Sequence, residues 1–137
     1  MNAYSLELTD YIMREHPDRI DDQDFIRTRG RMASKIFEKC SRSGMTVDQA
    51  QHEAHQVLYA GLIFSPYRMV EEIINEKFHY SEDNEEMGIF TMQMLERVKP
   101  LINHYHPDDE FRGTHAYVEL CEHVEHSINE YLRKNGL

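Results

Sequence analysis

The sequence is poorest in the features that announce a compartment or a chemistry. No apolar run reaches 18 residues, so no segment is expected to span a membrane. The opening stretch, MNAYSLELTDYIMREHP, has no basic start followed by an apolar core, so no signal peptide is expected. Cysteine is scarce. Cys40 and Cys121 have neither metal-ligand nor redox spacing, and they read as reduced thiols on apolar faces of a cytoplasmic protein. Repeats, low-complexity tracts and Gly/Ser linkers are missing, which leaves one domain over residues 1–137. There is no Gly-rich phosphate loop, no GxSxG, and no cysteine beside an activating histidine. No stretch alternates with the two-residue period of a strand.

Acid is abundant and unevenly placed. Residues 1–42 carry eight Lys/Arg and eight Asp/Glu, whereas residues 43–137 carry seven and seventeen. The whole formal net charge of −10 therefore falls on the second stretch. Such a surface repels phosphate backbones, so nucleic acid is not an expected partner. Nine histidines are many for this length and are the one compositional hint of chemistry.

Apolar residues recur at helical spacing nearly throughout, and the pattern predicts a compact all-α domain of about six helices. The first spans about residues 3–15, with Tyr4, Leu8, Tyr11 and Ile12 on one face, and ends at His16-Pro17. The second spans about 22–42, capped by Asp21 or Asp22 and stopped by Gly44. Its apolar arc is read as Phe25, Met32, Ile36 and Cys40. Thr46 and Gln49 form a capping box for the third, expected to reach Phe64 through the all-apolar VLYAGLIF. That end is expected at the centre of the protein. Ser65-Pro66 starts the fourth, to about Phe78. The acidic loop HYSEDNEE leads to a fifth, carrying Met87, Phe90, Met94, Leu95 and Val98 and broken at Pro100. A short turn and a loop containing HPDDEF precede the sixth, from about Thr114 to Lys134.

HEAH at His52 to His55 is one residue short of the zinc-protease HExxH, because position 56 is Gln56. The only comparable pair is His123 and His126. Both pairs point away from their helices' apolar seams, and neither helix carries the Glu-x-x-His of a bundle metal site. Exposed helix-face histidines are the expectation. A metal-dependent helical-bundle enzyme using His52, His55, His123 and His126 is the alternative.

Arg27, Arg31, Lys35, Lys39 and Arg42 form one stripe on the second helix, a surface for an anionic partner or simply a solvated face. Nucleic-acid binding through it is a further alternative, weakened because no aromatic side chains interleave to stack bases. Arg29 falls on the apolar arc, where a guanidinium needs a partner, and Glu15 is the candidate for a buried ion pair. Asp108, Asp109 and Glu110 lack the alternate oxygens and glycine turn of a calcium loop.

The segments YSLELTDYIMREHPDRIDDQDFI, RSGMTVDQAQHEAHQVLYAGLIFSPY, EEIINEKF and YHPDDEF resemble the domain of unknown function 1896, a family of Bacteroidetes proteins often encoded near mobile elements. GL-x-FS-x-Y, Gly61 to Tyr67, is the most specific of these, while His106-Pro107 departs from the family pattern. The resemblance implies an all-helical domain and carries over no catalytic or binding residue. The expectation is a cytoplasmic, non-catalytic protein-interaction or accessory module without cofactor or metal. Its partner is a protein of unassigned identity, and a homodimer is one form it could take.

Overall fold

A computed structural model of the chain describes residues 2–78 and 84–136. The fold is all-α, and among the described residues there are six α-helices and no strand. They are α1 (Ala3–Glu15), α2 (Gln23–Arg42), α3 (Val47–Tyr59), α4 (Pro66–Ile73), α5 (Asn84–His104) and α6 (His115–Lys134). The chain packs as two compact units, Met1–Ile63 and Phe64–Leu137.

Five of the helix starts are written in local chemistry. The side chains of Asn2, Asp22, Thr46, Ser65 and Thr114 accept from the backbone N–H three residues on. Thr46 and Gln49 close the capping box in both directions, at 3.1 and 3.0 Å. Each such cap satisfies an orphan donor and contributes roughly 1 kcal/mol.

In the first unit α2 packs against α1 and α3. Its core holds Leu8, Ile12, Ile26, Ala33, Ala54, Leu58 and Leu62. The buried arc of α2 is Ile26, Gly30 and Ala33, about a quarter-turn from the arc read in the sequence. Small residues win that face because α1 comes close: a Cβ on Gly30 would lie 2.0 Å from Ser5 Oγ and 2.9 Å from Ser5 N. Met32 is consequently turned outward and 47% exposed.

The second unit buries α4, α5 and α6 around Met69, Val70, Ile74, Leu95, Ile102, Leu120, Val124 and Ile128. An aromatic cluster of Phe64, Phe111, Tyr105 and Tyr117 closes one end, with ring centroids 5.2–6.1 Å apart.

Three expectations about helices are corrected. The third helix stops at Tyr59, not Phe64. Ala60 and Gly61 are exposed, and Gly61 turns the chain at φ +81°, a conformation that favours glycine. Leu62 then enters the first core and Phe64 the second, so the segment joins two cores instead of filling the centre of one. The fourth helix gives way to a π-helical turn, Ile74–Phe78. The fifth runs through Pro100 to His104. Its last turn is held by buried Ile102, while the ring of Pro100 faces outward. Of the acidic loop, residues 79–83 lie outside the described residues, and Glu85 and Glu86 are already in α5.

Candidate functional site

The HEAH histidines sit on α3 with different surroundings. His52 is exposed and 3.1 Å from Gln56 Nε2. His55 is half-buried among the rings of Tyr4 and Tyr59. Its Nε2 stands 2.9 Å from Glu7 Oε2, at ion-pair distance but without hydrogen-bond geometry. The Tyr59 hydroxyl takes the hydrogen-bonding position, donating to the same oxygen at 2.5 Å. Burial, and then this bond to Glu7, push the Tyr59 phenol well above its ordinary range. Tyr4 donates to Gln51 Oε1 on the same flank. His123 and His126 are exposed on α6, 3.9 Å from Glu119 and 3.5 Å from Glu130. Among the described residues no three His, Cys, Asp or Glu side chains gather at metal-binding spacing.

Arg29 meets a partner that sequence reasoning missed. Its guanidinium donates to the carbonyl oxygens of Val57 (3.1 Å), Leu58 (3.3 Å) and Ala60 (2.6 Å), and lies over the Phe25 ring. The last carbonyls of a helix have no intrahelical donor and carry the negative end of its dipole. Arg29 therefore caps α3 from a neighbouring helix. Glu15, half-buried in the last turn of α1, is placed in the same unit. Buried His16 donates from Nε2 to the Leu62 carbonyl at 2.7 Å, and Tyr11 donates to the same oxygen at 2.9 Å.

The five cations of the stripe, Arg27, Arg31, Lys35, Lys39 and Arg42, are all exposed on α2, opposite its buried arc. Among the described residues none of them has a carboxylate at ion-pair distance.

The second unit holds a groove of about 380 Å³ between α4 with its π-helical turn and α6. Helical spacing builds it. Met69, Glu72, Ile73 and Glu76 recur at i, i+3, i+4 and i+7 on one wall, and Val118, Cys121, Glu122 and Glu125 do so on the other. The floor is apolar, and the rim carries four carboxylates, Glu72, Glu76, Glu122 and Glu125, with the cations Lys77 and Arg112. Arg112, from the turn before α6, pairs with Glu72 at 2.9 Å and lies over Tyr117. Glu76, Glu122 and Glu125 have no cation at ion-pair distance among the described residues. The groove's two candidate nucleophiles are subdued. Burial, and then a hydrogen bond to Cys121, push Tyr117 up to about 12. Burial likewise raises the Cys121 thiol, although Tyr117 and Arg112 act in the opposite sense. Both are protonated at neutral pH, so neither is primed for attack. A second surface hollow, about 420 Å³ beside Met45, Asp48 and His52, opens at the head of α3.

The family model described as "Domain of unknown function (DUF1896)" matches residues 1–137. The chain belongs to this family. A similar solved structure is the crystal structure of protein PG0816 from Porphyromonas gingivalis, a Bacteroidetes bacterium. It is 21% identical, with a TM-score of 0.89, covering 96% of this chain and 90% of that chain. At that identity the likeness shows the fold alone. No functionally curated protein matches.

The family-like GL-x-FS-x-Y segment has a structural account in each residue. Gly61 makes the left-handed turn, Leu62 and Phe64 enter the two cores, Ser65 caps α4, and Tyr67 is buried in the second unit. The groove was not legible beforehand. Glu72, Glu76, Glu122 and Glu125 look like ordinary solvated helix positions until α4 and α6 bring them to one rim.

Proposed function

We propose that the chain is a non-catalytic protein-interaction module. Its groove takes a segment of a protein partner in which cationic side chains flank an apolar one. The single observation that carries this reading is the juxtaposition in the groove. An open apolar floor, with Val118 55% exposed, lies beside Glu76, Glu122 and Glu125, which lack counter-cations among the described residues. Carboxylates at the edge of a low-dielectric floor attract cations more strongly than carboxylates in open water, and the floor accepts apolar area at roughly 25 cal/mol per Å². A partner segment supplying both gains from both. The protonated Cys121 and Tyr117 support binding over nucleophilic chemistry.

Co-purification from the native host, with nuclease treatment, tests the reading. A protein partner that survives nuclease and is lost from Glu122→Lys/Glu125→Lys is the expected result. A partner set unchanged by that double reversal would remove the groove from the interaction.

A further inference from the structure

Resting on that reading of the groove, we propose that its occupant is a second copy of this chain, docked through the exposed α2 stripe. The two faces match in charge and in spacing. The first unit carries eight Lys/Arg against ten Asp/Glu, and five of those cations lie without a carboxylate at ion-pair distance on one face of α2, where they outnumber its two exposed acids, Asp24 and Glu38. The second unit carries seven Lys/Arg against fifteen Asp/Glu. Cations without a carboxylate at ion-pair distance on one unit and carboxylates without a cation on the other make the two faces complementary between copies.

Spacing sharpens the match. On α2 the outward residues Thr28, Arg31, Met32 and Lys35 stand at i, i+3, i+4 and i+7, the interval found on both groove walls. Met32 is 47% exposed between two cations, as Val118 is 55% exposed beside Glu122 and Glu125. A helix laid along the groove would set Met32 on the apolar floor, with Arg31 and Lys35 against carboxylates roughly one turn apart, about 6 Å of rise. Each copy is net −10, but at physiological ionic strength that repulsion is screened beyond about 8 Å, while the contact itself is closer. Nucleic acid fits less well: the stripe offers no outward aromatic ring, and the rest of the surface repels phosphate. A contact that joins different faces of two copies closes into a reciprocal dimer if the two fill each other's grooves, and runs on as a chain if each fills the groove of a further copy.

The test is a charge swap read by light scattering over a concentration series of the 137-residue chain. Wild type should gain mass with concentration. Arg31→Glu/Lys35→Glu should weaken association about tenfold or more, and so should Glu122→Lys/Glu125→Lys. Mixed together, these two variants should associate with each other, because the acidic stripe of one meets the basic groove of the other. Circular dichroism of each variant checks that it is folded. A wild type that stays monomeric throughout overturns the inference, as does a mixture of folded variants that stays monomeric. If the wild type is monomeric yet its host partner is lost from the groove variant, the groove reading stands and self-association falls. Salt-sensitive DNA retention lost only in the stripe variant would assign α2 to nucleic acid and overturn the inference.

Discussion

The Arg29 guanidinium donates to the Ala60 carbonyl oxygen at 2.6 Å, so a residue in the middle of α2 closes the end of α3. Arg29→Ala would strand three carbonyl groups and lower stability by about 1–3 kcal/mol, read as a lower Tm. Arg29→Lys keeps the charge but loses the planar fork, and should recover only part of that. A double-mutant cycle with Glu15→Gln should show coupling of about 0.5–1 kcal/mol if Glu15 shares this guanidinium, as the sequence reading expected. Full additivity would reject the pair.

Gly30→Ala should destabilise the first unit even though alanine is the better helix former. The new methyl would meet the backbone N of Ser5 at 2.9 Å, which no side-chain rotation relieves. The expected cost is about 1–3 kcal/mol, larger than the gain of roughly 1 kcal/mol in helix propensity. A Tm at or above wild type would show that α1 moves away freely.

Pro100→Ala should stabilise. Proline inside α5 removes one backbone donor and crowds the preceding turn, and its ring is exposed, so little packing is lost. A gain of about 1–3 kcal/mol is expected in urea unfolding. A loss would mean that the backbone fixed by Pro100 is itself required to seat Ile102.

Tyr117 gives the fold an alkaline limit. Its phenol is raised from 10.0 to about 12, so the folded state holds the proton more tightly than the unfolded chain. The stabilisation is complete below pH 10 and is lost as pH rises towards 12. Tyr59 shifts in the same direction. Phenolate absorbance should therefore show a late-titrating component that shrinks in Tyr117→Phe. An unchanged titration curve would contradict the burial of this ring.

Periodicity and end chemistry made the helices legible. Thr46 with Gln49, Ser65 with Pro66, and Thr114 each marked a true start, because a cap is a bond between residues three apart. What failed depended on residues far apart in sequence. VLYAGLIF looked like one buried helix, because nothing local shows that Leu62 and Phe64 serve different cores. The arc of α2 was misread because the close approach of Ser5 favours Gly30 and Ala33 over Met32. Pro100 looked like a break because propensity does not weigh the burial of Ile102. The groove was invisible for the same reason: its walls lie some 50 residues apart in sequence.

The short passage from Leu62 to Phe64 also bears on how the molecule breathes. With a separate core on each side, amide protons of the two units should exchange through separate openings, each with its own free energy. A ligand seated between α4 and α6 would then slow exchange in the second unit first. The degree to which protection spreads back across Gly61 would measure how far one half of the chain senses what the other has bound.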